Sequence, residues 1–299
     1  MKGLLVFLVV WGAVPVGAQF YYYDDRYMAS EMVVEMGVAA GGMNGLTDLG
    51  GRRGSGKKFI GDLNPECFRS CFGLFVMVNY REAVGIRMEL SKGSLESFDS
   101  ILAPVAASTF GRYERNLSFR SRIGELQLVF EIHPLLFRHY DENQAPYFSP
   151  YVTGGVAVFR FDPQAFMDGQ WHYLRPLHTE GQGFGEYPGR KLYRLTQINI
   201  PVGMGIRYEV TALWSLRLEI LHRFLFTDYL DDVSQAGYVD PVLFEKYLPP
   251  GLAATARKLY YRGQMQVKGT QRGNPDNRDS YFTIQFKVSL NLRRRRAGH

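Results

Sequence analysis

Cysteine is nearly absent: the chain has two in 299 residues, Cys67 and Cys71. It therefore has no framework of disulfides to staple a small, loop-rich scaffold. With no histidine near the pair, the ligand set of a structural zinc site is missing too. In Pro65-Glu-Cys-Phe-Arg-Ser-Cys-Phe72 the two thiols read better as a short local disulfide than as free thiols. So small a ring removes little chain entropy, and a bond there would shape a loop rather than hold the fold. Long hydrophobic runs are also lacking. No apolar stretch reaches the roughly 20 residues of a membrane helix, which excludes a polytopic helical membrane protein. Nor does one sign of charge dominate: 35 Lys and Arg stand against 29 Asp and Glu. That balance asks for no nucleic-acid partner. Much of the small surplus sits in Arg293 to Arg296, a basic tail (residues 293–299) suited to solvent, anionic lipid or an acidic partner.

What the chain has in quantity is aromatic residues (14%) and glycine (32 residues). That pairing favours strands and tight bends over helices. The one notable apolar run opens the chain. Lys2, then Leu4 to Val14, then Val16-Gly17-Ala18 read as the three regions of a secretory signal over residues 1–18. Its short length, Gly12 and Pro15 argue for cleavage before Gln19 rather than a retained anchor. The protein is expected to leave the cytoplasm.

Beyond a leading segment at residues 19–30, the dominant signal is alternation with period two, the mark of strands with two different faces. Phe282, Ile284, Phe286, Val288, Leu290 and Leu292 alternate with Thr283, Gln285, Lys287, Ser289 and Asn291. Trp214, Leu216, Leu218, Ile220, Phe224 and Phe226 oppose Ser215, Arg217, Glu219 and Arg223. Ile198 to Tyr208 repeats the pattern, and weaker copies fall at Met32–Ala40, Phe72–Tyr80, Val84–Leu90, Phe119–Ile132 and Tyr151–Phe159. Eight strands are expected. The gaps between them run about 31, 3, 28, 18, 36, 5 and 54 residues, long alternating with short. A soluble sandwich has no reason to gather its long loops at one end; an outer-membrane barrel has. The expected fold class is all-β: an eight-stranded antiparallel transmembrane β-barrel over residues 31–292, with long external loops, in the outer membrane of a Gram-negative bacterium.

Parity assigns a polar set to the lumen: Glu35, Arg87, Glu89, Glu125, Glu131, Arg207, Arg217, Glu219 and Arg223. Five acids and four bases are the composition of a paired network, and eight strands leave an interior just wide enough for side chains to fill. The competing reading makes these residues the solvated face of a sandwich. On the other face, Tyr80, Tyr208, Trp214 and Phe226 suit interfacial girdles.

No catalytic or metal constellation emerges. Gly51-Arg-Arg-Gly-Ser-Gly56-Lys57-Lys58 resembles a phosphate-binding loop, but Lys58 stands where a hydroxyl would hold Mg²⁺ and no apolar helix follows. The six histidines are scattered. Asp228, Asp231 and Asp232 could attract a divalent cation, yet lack the Gly and extra ligands of a Ca²⁺ loop. Thr227 and Asp228 read better as the N-cap of a short helical turn. His178-Thr-Glu-Gly-Gln-Gly-Phe-Gly185 places His and Glu close in sequence without a recognisable nucleophile. No cofactor is expected, and no enzymatic activity.

Five segments occur in order: Gly61-Asp-Leu-Asn64, Ser149-Pro-Tyr-Val152 with Gly154-Gly155, Thr179-Glu-Gly-Gln-Gly183, Thr227-Asp-Tyr-Leu-Asp-Asp-Val-Ser234 and Arg272-Gly-Asn-Pro275. Together they resemble the PorG-like outer-membrane proteins of the type IX secretion system, from about Glu31 to Leu292. The stretch Thr227, Asp228, Tyr229, Leu230, Asp231, Asp232 is the most specific piece. The resemblance implies a non-enzymatic barrel that links the membrane to periplasmic ring proteins. Cys67, Cys71 and the Arg293–Arg296 tail lie outside the family pattern. The alternative is a free-standing small barrel that binds ligand, lipid or another cell through its external loops. The long turn His133–Pro150 favours the first, because Leu135, Leu136, Phe137 and Tyr140 form an apolar cluster suited to partner docking. Expected partners are the ring proteins and outer-membrane lipid.

Overall fold

The computed structural model describes residues 32–50, 65–108, 111–137, 146–211, 213–263, 271–276 and 278–292. The signal segment, residues 19–31, the Gly51–Lys58 loop, the Gly61–Asn64 segment, Tyr140 and the arginine tail lie outside these. Ten strands are present among the described residues: β1 (Met32–Leu46), β2 (Arg69–Tyr80), β3 (Val84–Phe98), β4 (Ser118–Ile132), β5 (Phe148–Arg160), β6 (Pro163–Met167), β7 (Gln170–Tyr173), β8 (Thr196–Glu209), β9 (Trp214–Leu225) and β10 (Ser280–Leu292). Eight of them close into a barrel in the order β3-β2-β1-β10-β9-β8-β5-β4, with β4 pairing back onto β3. Every pairing is antiparallel. The closing seam runs from Val84↔Ile132 to Phe98↔Ser118, and β1 pairs β10 from Val34↔Leu292 to Leu46↔Ser280. All eight expected strands are barrel strands, and several run further outward than the alternation alone marks. β1 continues through Gly41, Gly42 and Gly45, whose missing side chains hide the period.

The barrel is inside-out relative to a soluble protein. On β4, Glu125, Gln127, Val129 and Glu131 are fully buried while Leu126, Leu128, Phe130 and Ile132 are 42–52% exposed. Apolar side chains on the outer face of every barrel strand continue this belt, which only a lipid solvent tolerates. Tyr80, Tyr208 and Trp214 sit at the end of the belt near the short turns and Phe226 at the other end, each about half exposed.

The interior fits large against small. Phe75 on β2 points inward and is buried, and the space it uses is the space that a Cβ on Gly37 would take, 2.5 Å from the ring. Gly205 on β8 does the same for Tyr151, also 2.5 Å away. Overpacking a filled interior costs about 1–3 kcal/mol. Gly205→Val is therefore expected to lower the unfolding midpoint, read as the temperature at which the folded band on a gel converts to the heat-denatured one. The outward-facing Val202→Ala serves as the control, and an equal shift in both would contradict tight internal packing.

The expected long external loops fold into a packed cap at the outer end. It holds the β6–β7 hairpin and three helices, α1 (Arg112–Arg115), α2 (Val242–Tyr247) and α3 (Pro250–Leu259). Its buried side chains include Leu49, Phe161, Leu177, Phe184, Leu230, Val233, Phe244, Ala256 and Leu259, continuous with Phe119, Phe159 and Tyr281 at the barrel mouth. These apolar residues come from several loops and follow no single period, so the sequence gives no sign that they share a core.

Candidate functional site: a charged lumen under a polar cap

Period two drives the inward set through the barrel wall, and all nine assigned residues lie inside, none more than 3% exposed. Arg87 is the hub. Its guanidinium reaches Glu219 at 2.7 Å and Glu89 at 3.3 Å, and hydrogen-bonds Glu131. Arg217 donates to Glu35 at 2.7 Å and to Ser289 at 2.7 Å. Arg223 meets Glu125 at 3.3 Å, with Tyr281 donating to the same carboxylate. Arg207 lies 3.7 Å from Glu35 and 3.4 Å from Glu82 in the β2–β3 turn.

One member escaped the assignment. Lys287 is fully buried and bridges Glu89 at 2.5 Å and Glu219 at 2.8 Å. Its parity with Gln285 and Ser289 was the available signal. With it the five acids face five bases, so the lumen is neutral. His133, Asn79 and Tyr151 extend the network: His133 contacts Ser149 at 3.1 Å, Asn79 donates to Glu35 at 2.6 Å and Tyr151 to Glu219 at 3.0 Å. Phe75 lies under three cations, 5.5 Å from Lys287 and 5.8 Å from Arg87 and Arg217. Aromatic faces and paired charges together fill the bore.

Above the lumen, three of the segments named earlier meet, although some 90 residues separate the first from the last. Glu180 accepts the backbone N–H groups of Ser234 and Gln235, each at 3.0 Å, and the guanidinium of Arg272. Arg272 also donates to the Asp232 carbonyl at 3.0 Å and to Thr179 Oγ1 at 3.1 Å. Asp232, in the left-handed region at φ 65°, accepts from Tyr193 at 2.7 Å and from Thr179. Asp231 ties the same loop to the β1–β2 loop by accepting from Leu49 N–H at 3.1 Å. The motif residues Leu230, Asp231 and Asp232 are buried; Asp228 and Tyr229 are half-buried. They build the cap.

Two expectations are corrected here. Cys67 and Cys71 form no disulfide; both are buried free thiols. Cys67 ends a 3-10 turn and lies against Ser97, whereas extended backbone from Arg69 carries Cys71 into the lumen, where Gln285 reaches it. Thr227 caps no helix. Its hydroxyl accepts the Tyr229 N–H at 3.2 Å in a local turn, and the next helix begins at Val242. His178 and Glu180 do not face a common cleft: His178 contacts the Gln182 carbonyl and Glu180 is enclosed by its own donors. Among the described residues, no three His, Cys, Asp or Glu side chains are placed to hold a metal ion.

The cap is rich in acids. Burial, with Asp48 nearby, pushes the Asp228 carboxyl up to about 9 and that of Asp231 to about 8. Burial outweighs the Arg272 guanidinium at Asp232, which reaches about 7, and lifts Asp48 to about 6. In the closed cap each carboxyl holds its proton up to its raised value, whereas once the cap opens it loses the proton near pH 4. Cap stability is thus highest at acid pH and declines as pH rises through these values. Loop cleavage by a protease active across the range is expected to accelerate from about pH 5 to about pH 9, with Asp228→Asn flattening the slope. A slope that Asp228→Asn leaves unchanged would remove these acids as its cause.

A closed eight-stranded sheet, an apolar outer belt and a charged, filled interior define the protein as an outer-membrane β-barrel. Its long loops and cap mark the external end; the short turns mark the periplasmic end. The chain is similar in fold to Neisserial surface protein A (TM-score 0.34, 9% identity, covering 88% of this chain and 98% of that one). It is similar also to Ail, the attachment invasion locus protein of Yersinia pestis (0.35, 7%, 87% and 97%), and to OprG of Pseudomonas aeruginosa (0.37, 9%, 88% and 96%). No family model and no curated protein matches the sequence. The class rests on strand pairing and side-chain distribution.

Proposed function

We propose that this barrel is a non-enzymatic structural component of a protein-export machine of the type IX class, joining the outer membrane to periplasmic ring proteins. The observation that carries the reading is the filled interior: a lumen closed by paired charges under a packed cap leaves no bore for transport. A role through surfaces remains. On the periplasmic side, Leu135 (41%) and Phe137 (63%) are exposed in the 3-10 turn Pro134–Phe137, beyond the lipid belt. That turn is tethered by the His133 N–H to the Ala83 carbonyl at 2.8 Å and leaves Leu135 and Phe137 in the open, with Leu136 half-buried between them. Support for the family assignment comes from the Thr179, Thr227 and Arg272 segments, which form one buried node in this chain, as a shared cap would require.

The test is affinity purification of the protein from native outer membranes. Periplasmic ring proteins are expected to co-purify in fixed ratio, and Leu136→Ser with Phe137→Ser to release them while the barrel keeps its heat-modifiable mobility. Retention of the ring proteins by an intact double variant, or their absence from the wild-type preparation, would overturn the proposal.

A further inference from the structure

Outward-facing residues at the external end of the belt are not alike around the barrel. Register places Phe72, Lys92, Gly124, Arg160 and Thr196 in one row across β2, β3, β4, β5 and β8. Arg122 stands two residues further out on β4, opposite Ser94. Lys92, Arg122 and Arg160 are exposed, and Gly124 between them has open space where a Cβ would stand. Neighbouring strands lie about 4.8 Å apart, so Lys92 and Arg160 flank a notch roughly 10 Å across. Among the described residues none of the three cations makes an ion pair or side-chain hydrogen bond; Asp162, within electrostatic reach of Arg122 and Arg160, is the nearby acid.

The surroundings of the notch form tiers. Directly below it, two residues toward the periplasm, Leu90, Leu126 and Val158 make a register row that is 48–60% exposed to lipid. Above it, β6 leaves β4 at Arg120↔Gln164, and the hairpin carries Phe166, 45% exposed, beside Trp171. The two rings share an open cleft with Glu96, Asn116, Ser118 and Arg262. Arg120 stacks on the Trp171 ring at 3.7 Å and holds it in place.

We propose that Lys92, Arg122 and Arg160, around Gly124, bind the phosphate of an acylated, phosphorylated glycolipid of the outer leaflet. Guanidinium forks and an ammonium suit a phosphate dianion, and unpaired cations at the lipid boundary are available for one. The acyl chains lie against Leu90, Leu126 and Val158. The aromatic cleft receives the sugar, which favours a glycolipid over a glycerophospholipid whose small headgroup would not reach it.

The test uses full-length protein in nanodiscs of phosphatidylcholine doped with bisphosphorylated lipid A, with bound lipid counted by native mass spectrometry after transfer to mild detergent. Lys92→Ala with Arg122→Ala and Arg160→Ala is expected to cut retention roughly tenfold or more, with heat-modifiability unchanged. A control set on the cap helices, Lys246→Ala with Arg257→Ala and Lys258→Ala, is expected to retain lipid as the wild type does. Should the triple variant fold poorly, Arg160→Gln alone and a salt titration of the wild type read the same contact. Dephosphorylated lipid A and phosphatidylglycerol are each expected to bind at least about tenfold more weakly. Equal retention by the triple variant, or by dephosphorylated lipid, would overturn the site. Equal binding of phosphatidylglycerol, or displacement by millimolar inorganic phosphate, would overturn its assignment to a glycolipid.

Discussion

Arg87→Met will destabilise the barrel by about 3–5 kcal/mol, the usual cost of stripping one partner from a buried charge cluster. Arg87 and its three carboxylate partners, Glu89, Glu131 and Glu219, are all fully buried. Without the guanidinium, Lys287 is left to serve Glu89 and Glu219, and Glu131 loses its closest cation. The loss reads out as an earlier midpoint in denaturant or on the heat-modifiability gel. Adding Glu131→Gln should recover part of it, because the uncompensated charge rather than the missing bulk is the cost. Arg257→Met, whose partner Glu245 is well exposed, should leave the midpoint where it was. A small effect for Arg87→Met would mean that the lumen is hydrated and the pairs are screened.

The second large effect belongs to the cap. Arg272 is 2% exposed and joins Thr179, Glu180 and the Asp232 carbonyl, so it ties the loop after β5 to the loop after β9. Arg272→Ala leaves Glu180 buried with only backbone donors, at a cost of about 3–5 kcal/mol to the closed cap. Among the described residues, none of the side-chain hydrogen bonds of Arg272 reaches a barrel strand. Chymotrypsin is therefore expected to cleave the loops of the variant rapidly while the heat-modifiable barrel core persists. Loss of the core together with the loops would show that cap and barrel fold as one unit. Unchanged resistance would show that Arg272 does not hold the cap.

These two effects also separate what the sequence makes visible from what it hides. A barrel wall imposes period two, so Glu125, Arg217 and Glu219 betray their inward direction from parity alone, and the alternation of long and short gaps betrays the closure. Lys287 obeys the same rule, sharing its parity with Gln285 and Ser289. The cap has no such rule. Glu180 and Arg272 are adjacent because separate loops fold over one mouth, and neither residue carries a periodic signal. The Cys67–Cys71 spacing suggests a bond, but extended backbone from Arg69 onward, which spacing does not reveal, carries Cys71 away from Cys67. Lys92, Arg122 and Arg160 each look like an ordinary strand-end cation until register sets them around Gly124.

Paired charge closes the barrel along its length, so it is expected not to act as a conduit. Single-channel recording in planar bilayers at neutral pH tests it most directly. The wild-type protein is expected to show no resolved conductance steps under applied voltage. Reproducible steps of a water-filled pore, suppressed when Phe75 on the lumen wall is replaced by Trp, would contradict the account.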